Sequence, residues 1–284
     1  MKLSVTNIIG VIFSMGMVAI GITETIGTTS YFDLIPALSQ YTFLNFPSLF
    51  IVLGGVLNAV FITYQPRYVG KAFLSIFYLF SQGKFNNRML KQDLQNILRW
   101  NEEIRQKRVQ ALNNLQEEQN KEISGYLFSL IGTNYSNEEI REFGASNIEE
   151  TYYHNMVVVE VLRSMGAAAP SFGMFGTLIG LVIMLGELQN PSAMGPGLAT
   201  ALITTLYGVS LARFIFYPIA EKLKNAAQMN MFRDQFIMEG ILLINQKKSS
   251  FFIKDKLSAY LINDFNQQEE ELNTSGVMGA SVAG

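Results

Sequence analysis

Residues 169–181 read APSFGMFGTLIGL, an apolar and glycine-rich stretch with one proline, Pro170. The stretch lies between Arg163 and Arg213, in a run of 49 residues without Lys or Arg. A second run without basic residues covers positions 3–66. Because about 20 helical residues cross a hydrocarbon core of ~30 Å, each run has room for two membrane helices. The sequence therefore predicts an all-α polytopic membrane protein with four transmembrane helices.

The basic residues also predict how the chain is oriented. They fall into three blocks, which are Lys2 alone, residues 67–163, and the chain from Arg213 onward. Lys and Arg beside membrane helices stay on the cytoplasmic side. We therefore expect both termini in the cytoplasm and a helical cytoplasmic domain between transmembrane helices 2 and 3.

Composition changes along the chain predict five segments. They are transmembrane helices 1 and 2 with an external loop (1–66), a cytoplasmic helical domain (67–163), a hairpin of transmembrane helices 3 and 4 (164–218), further cytoplasmic helices (219–265), and a disordered tail (266–284). The four spans are expected at about 3–23, 46–64, 164–186 and 195–217. Within the cytoplasmic domain, Ser136 and Glu139 have the spacing of a capping box that opens a helix.

Composition also excludes several classes of function. A net charge of −2 gives no basic surface for nucleic acid. With no cysteine and one histidine, His154, the chain has no Cys- or His-based metal cluster. It has no G-x-x-x-x-G-K loop for a nucleotide's phosphates. We expect no enzymatic activity and no cofactor.

The predicted spans hold few charges, and these lie near their ends. Glu24 and Glu187 fall at the outer ends and Arg213 near the cytoplasmic end of the fourth span, where a charge reaches water cheaply. An ion relay normally needs a buried carboxylate. We therefore interpret the chain as lining a pathway whose acid comes from elsewhere.

Hydroxyl groups are the candidate pathway residues of the hairpin: Thr177, Thr204, Thr205 and Tyr207. A partly dehydrated Na⁺ needs hard oxygen ligands, which hydroxyls and carbonyls supply. The alternative is that each threonine bonds its own helix backbone, the usual arrangement in a membrane helix. For Tyr207, lining the pathway and anchoring the packing are equally open.

Glycines and prolines complete the set of candidates. Gly173, Gly176 and Gly180 include a G-x-x-x-G pattern, which lets helices approach closely and which we interpret as packing between subunits. Pro170 and Pro218 fall at the cytoplasmic ends of the third and fourth spans. Proline kinks are tolerated in membrane helices because neighbouring groups satisfy the freed carbonyls.

Several stretches resemble one known family. Residues 170–182 (PSFGMFGTLIGLV), 201–209 (ALITTLYGV), 216–223 (FYPIAEKL) and 46–55 (FPSLFIVLGG) are similar to helices of the MotA branch of the MotA/TolQ/ExbB ion-channel family. The similarity covers roughly residues 3–262. Two spans before the cytoplasmic domain favour the MotA branch, the larger stator subunit of the bacterial flagellar motor.

The resemblance implies a function in bacterial motility and chemotaxis. It implies a homo-oligomer in the inner membrane, with five copies around two helices of a MotB-like single-span protein that carries an intramembrane Asp. Ion passage would then turn the ring and drive a rotor switch protein. It also implies that Pro170 and Pro218 couple ion flow to movement. Thr177 resembles sodium-driven members, which favours Na⁺ over H⁺.

The resemblance is incomplete in the cytoplasmic domain. The family uses an Arg and, about two turns later, a Glu against the rotor. Arg105 fits the Arg, with Arg108 as a second candidate, but the position eight residues on is Asn113. The nearest downstream acids are Glu117 and Glu118. This departure keeps open an ExbB/TolQ-like or defence-system energiser of a non-flagellar partner, and, as a second alternative, a passive membrane scaffold.

Overall fold

The computed structural model describes residues 5–25, 45–77, 87–106, 108–118, 122–133, 135–191 and 194–261. Every regular element in these ranges is helical, which confirms the all-α prediction. The predicted external loop and the predicted disordered tail lie outside the described residues. The helices are α1 (Val5–Thr25), α2 (Phe46–Thr63), α3 (Pro66–Phe77), α4 (Asn87–Gln106), α5 (Arg108–Glu118), α6 (Ile123–Gly132), α7 (Asn137–Gly186), α8 (Met194–Ser210), α9 (Tyr217–Asn245) and α10 (Ser250–Ser258). A π-helical segment, Leu211–Phe216, joins α8 to α9.

The chain divides into two compact units. The first comprises residues 1–82 and 155–225, and the second comprises residues 83–154 and 226–284. α7 and α9 contribute residues to both units. The predicted segments 1–66 and 164–218 fall wholly within the first unit.

Three stretches of helix in the described residues are long and apolar enough to cross a membrane. They are Phe46–Thr63, Asn137–Gly186 and Met194–Asn245, so they include the predicted second, third and fourth spans. The predicted first span corresponds to α1, a helix of 21 residues. That α1 is a fourth span stays a prediction.

α7 is longer than the sequence suggested, because it begins 27 residues before the predicted third span and reaches 50 residues. The capping box at its start is confirmed: Ser136 N–H donates to Glu139 Oε2 at 2.8 Å, and Glu139 N–H donates to Ser136 Oγ at 3.2 Å. These bonds lower the pKa of Glu139. Between this cap and Pro170 nothing interrupts the helix, so the polar and apolar parts form one element.

Close helix contacts build the first unit. A Cβ on Gly54 of α2 would lie 2.7 Å from Val18 Cγ2 of α1, and Gly55 lies directly against the ring of Phe172 of α7. Such spacing lets backbones approach where no water can fill a gap. A buried apolar cluster continues from these contacts: Val56, Val60, Val69, Val159, Leu162, Met165, Phe216 and Ile219.

The second unit has its own core, made by α4, α5, α6, α9, α10 and the first part of α7. Trp100 is buried there and meets Phe128 edge-on at 5.3 Å. Arg233 of α9 binds Asp93 of α4 through two hydrogen bonds of 2.7 and 2.9 Å. Asp93 is 5 % exposed, so this pair holds a carboxylate inside the unit.

Candidate functional site

The hairpin of α7 and α8 is held together by glycines. A Cβ on Gly176 would lie 2.6 Å from Thr204 Cβ, and one on Gly180 would lie 2.6 Å from Gly197 O. One on Gly173 would lie 3.0 Å from Thr204 O. We expected these glycines to pack one copy against another. Within one chain they bring α7 and α8 together, because both sides of these contacts belong to the same hairpin. Packing between copies stays a prediction.

Thr204 lies at the centre of this contact and is fully buried. Its hydroxyl donates to Thr200 O at 2.9 Å and to Ala201 O at 3.0 Å, both on its own helix. Because Gly176 leaves room for the Thr204 side chain, the two residues fit as a pair. The geometry of Thr204 therefore matches the backbone-bonded alternative.

Thr205 turns toward the neighbouring helix. Its hydroxyl donates to Gly173 O on α7, at a long 3.4 Å. This bond crosses from α8 to α7, and at that length it is weak. Thr205 and Thr204 therefore both lie near the Gly173–Gly176 turn of α7.

Thr177 is half-buried, and its hydroxyl donates to Met174 O at 2.6 Å. This bond uses the single proton of the hydroxyl and leaves the oxygen's lone pairs, which are the groups that a cation needs. The contact with its own helix is therefore compatible with both roles predicted for Thr177.

Tyr207 makes a contact that the sequence did not indicate. The backbone N–H of Asn45 donates to Tyr207 Oη at 3.0 Å. Asn45 is the N-cap of α2, and its Oδ1 accepts from Ser48 N–H at 3.1 Å. Tyr207 thus ties α8 to the start of α2, which is a packing role.

The two prolines lie beside irregular helix segments that contact each other. Pro170 has no N–H, so the carbonyl of Gly166 loses its helical partner. Gly166 packs on Tyr217, whose Cε1 would lie 2.9 Å from a Cβ at that position. Tyr217 follows the π-helical segment, donating its N–H to Ala212 O, and precedes Pro218. π-segments are rare and concentrate at functional sites. No pattern in the sequence indicated this segment, apart from Pro218.

Comparison with known proteins identifies the family of this chain. A sequence model of the MotA/TolQ/ExbB proton channel family matches residues 81–233, more than half of the chain. The chain belongs to the MotA/TolQ/ExbB proton channel family. The resemblance seen in the hairpin motifs is confirmed.

Individual relatives extend this result over most of the chain. Motility protein A of Aquifex aeolicus is 31% identical over 224 residues, covering 77% of this chain and 86% of the relative. An uncharacterized protein of Bacillus subtilis, YtxD, is 29% identical over 273 residues, covering 94% of each. The structure of the flagellar MotAB stator complex from Bacillus subtilis contains a chain with the same fold, at a TM-score of 0.68 and 21% identity, over 92% of this chain and 97% of that one.

In this member of the MotA/TolQ/ExbB family, ion pairs connect α7 and α9 just beyond the prolines. Arg163 donates to Glu221 at 2.6 Å and to Glu160 at 3.1 Å. The hydrogen bond between Arg163 and Glu221 raises the pKa of Arg163 and lowers the pKa of Glu221. All three side chains are partly exposed, so these ion pairs add little to the free energy of unfolding. Their main effect is to orient the helices. The sequence marked Arg163 only as the end of a basic block.

The predicted rotor-contact residues of this family member lie in the second unit. Arg105 is exposed near the end of α4, and Glu117 and Glu118 are exposed at the end of α5. Arg108 is the first residue of α5, and its side chain is not among those that the structure describes. The structure thus places three of the four candidates at the surface.

Proposed function

We propose that this chain is the channel-forming stator subunit of an ion-driven bacterial motor in the inner membrane. The observation that carries this proposal is the α7–α8 hairpin, which is joined by glycines and offers hydroxyl and carbonyl oxygens. The sequence from 164 to 186 and from 195 to 217 contains no Asp or Glu. Such a hairpin lines an ion path without supplying its carboxylate, and membership of a proton channel family agrees with this role.

The lack of an Asp or Glu in these two spans indicates what a partner must supply. We propose a MotB-like single-span protein whose intramembrane Asp completes the path inside a ring of copies, with five copies favoured. The outward faces of the hairpin suit helix neighbours and lipid, since each presents a row of exposed apolar side chains. The rows are Leu178, Val182 and Leu185 on α7, and Leu198, Leu202 and Leu206 on α8.

This proposal needs no cofactor, and for the transported ion sodium is favoured over protons. Thr177 supports this choice because its hydroxyl donates inward to Met174 O and leaves oxygen lone pairs for a cation. Thr205 on α8 and the carbonyl of Gly173 on α7 add two more oxygen atoms where these helices meet.

We propose that ion flow is coupled to movement at the two segments where backbone hydrogen bonding is irregular. Pro170 in α7 and the π-helical segment before Pro218 are where backbone hydrogen bonding departs from the α-helical pattern. Both helices continue past these points into residues of the second unit, which carries Arg105. We propose that ion passage moves the hairpin and that Arg105 transmits force to a rotor switch protein.

The test is deletion of the chain followed by measurement of swimming and of sodium-dependent motor speed. Loss of swimming, restored by the intact chain, supports the stator. Unchanged swimming supports the second candidate, an ExbB/TolQ-like or defence-system energiser of a non-flagellar partner. Asn113 favours that candidate, because it stands where rotor-driving relatives carry Glu. A scaffold without ion flow predicts no cation leak when the chain is co-expressed with any partner.

A further inference from the structure

The second unit contains a cavity that the ion path does not use. Its volume is about 340 Å³, which is within the range of small-molecule sites. It lies where the end of α4 meets α6 and the end of α9. Three isoleucines, Ile104, Ile131 and Ile244, form its apolar wall.

A buried acceptor at this cavity has no donor in the part of the chain that the structure describes. Asn101 lines the cavity and is 0 % exposed. Its Nδ2 donates to Ser250 Oγ at 2.9 Å, while its Oδ1 accepts no hydrogen bond from the described residues. Leaving a buried acceptor unpaired costs free energy, so a ligand N–H at this atom would be favourable.

Two cations line the same cavity, Arg105 and Lys247. In the described part of the chain neither forms a salt bridge, although other arginines and lysines do. Their charges are therefore available to an anion from outside.

Lys247 occupies a backbone position that favours glycine. Its φ is 56°, in the left-handed region. Lys247 N–H donates to Ile244 O at 2.9 Å and Lys248 N–H to Leu243 O at 3.2 Å, which closes the end of α9 as a Schellman turn. Glycine is usual at such a position because it has no Cβ. A lysine at this position has a Cβ and lacks that advantage, but it adds an ammonium group to the cavity wall.

These features define a ligand with three parts. We propose that the cavity binds a small organic anion in which a phosphate is joined to a ring bearing an N–H donor, the chemistry of a nucleoside monophosphate. The phosphate meets Arg105 and Lys247, the ring packs on the isoleucines, and the N–H donates to Asn101 Oδ1. Arg105 and Lys247 suit a phosphate because charge-assisted hydrogen bonds are stronger than neutral ones.

Occupancy would also engage Arg105, a candidate rotor contact. A bound phosphate would hold its guanidinium away from a partner's carboxylate, so the ligand would reduce torque. This consequence rests on the proposed function, whereas the binding itself does not.

The experiment is isothermal titration calorimetry on the full chain purified in detergent. AMP is the probe, and adenosine, inorganic phosphate and purine riboside 5′-monophosphate each lack one part of it. We expect each of the three to bind at least about tenfold more weakly than AMP, because each loses one set of contacts.

Lys247→Gly is the decisive variant. It removes the ammonium and relaxes the left-handed backbone, so the fold should be at least as stable as the parent. AMP should bind about ten- to hundredfold more weakly, the effect of losing one hydrogen bond to a charged group. Lys248→Ala is the matched control, since it makes the same change of charge one residue away from the cavity wall and should leave affinity unchanged.

Three results would overturn the proposal. The first is no heat from AMP at millimolar concentration. The second is equal weakening by Lys247→Gly and Lys248→Ala, which would mean general electrostatic attraction. The third is inorganic phosphate binding as tightly as AMP, which would mean an adventitious ion only. None of these results bears on swimming, so they leave the proposed function to its own test.

Discussion

Gly180→Ala tests whether the hairpin depends on direct backbone contact. The new Cβ would lie 2.6 Å from Gly197 O, 2.7 Å from Ala201 N and 2.8 Å from Ala201 Cβ. Two of these three atoms are backbone, so no side-chain rotation relieves the clash. Gly186→Ala is the control, because a Cβ there meets nothing within 4 Å.

The size of the effect follows from these distances. Ordinary van der Waals contact begins at 3.4 Å, so α7 and α8 must separate by about 0.8 Å at Gly180. Overpacking of this kind costs about 1–3 kcal/mol. For a chain of this size, each kcal/mol lowers Tm by about 2–4 °C. Gly180→Ala should therefore melt several degrees below Gly186→Ala.

Thermal unfolding followed by circular dichroism in detergent measures this difference, at one scan rate for all variants. Swimming speed in a complemented deletion strain gives the functional counterpart, and the Gly180 variant should be the slower of the two. Equal melting temperatures for the two variants would refute direct contact. If Gly180→Ala melts at the parent's temperature but no longer assembles into a ring, Gly180 lies at a contact between copies instead.

Three further perturbations test other parts of the structure. Thr177→Ala should weaken the sodium site about ten- to hundredfold, the loss expected for one ligand, so motor speed should fall steeply at low external sodium and recover only partly at high sodium; Thr177→Ser should restore the parent's behaviour. A parent motor whose speed ignores sodium and follows the proton gradient would contradict the sodium assignment. Arg233→Met leaves the buried Asp93 unpaired and should lower the free energy of unfolding by about 3–5 kcal/mol. Arg99→Met breaks an exposed ion pair and should lower it by less than about 1 kcal/mol. Equal melting temperatures of the two variants would show that the Asp93 pair is not needed for stability. Burial raises the pKa of Asp234 from 3.8 to about 6, so its folded form holds a proton that the unfolded chain releases, and stability falls as pH rises between those values. Asp234→Asn should remove this dependence of stability on pH and raise Tm at neutral pH. If unfolding experiments on the variant show the same dependence on pH, another group causes it.

Sequence patterns predicted the elements whose signals are local. Gaps between basic residues located the hairpin, and the Ser136–Glu139 spacing located the start of α7. The continuity of α7 was missed because a change from polar to apolar composition resembles a boundary. A helix, however, needs only backbone hydrogen bonds, and no proline stands between Asn137 and Pro170.

Features that depend on which surfaces meet were beyond the sequence. A G-x-x-x-G pattern has the same period whether its partner is another copy or the next helix, so Gly176 gave no sign that it faces Thr204. The π-helical segment differs from α-helix by one residue in hydrogen-bond register, which leaves no pattern in Leu211–Phe216. The cavity beside Asn101 joins residues from three helices that are far apart in the chain.

The distribution of contacts along the hairpin indicates where it can bend. From Ala169 to Gly180, α7 meets α8 mostly through backbone atoms, and so close a contact allows little relative sliding without a clash. Toward the N-terminal part of α7, the Arg163–Glu221 pair again connects α7 with α9. Between these two connections lie the π-helical segment and Gly166, which meets Tyr217. The backbone hydrogen bonds are irregular here, because the carbonyl of Gly166 has lost its helical partner to Pro170. A displacement of the glycine-packed part must therefore be taken up at this level, in both helices together. In a stator, that is the level through which ion-driven movement of the hairpin would reach the rest of α7 and α9.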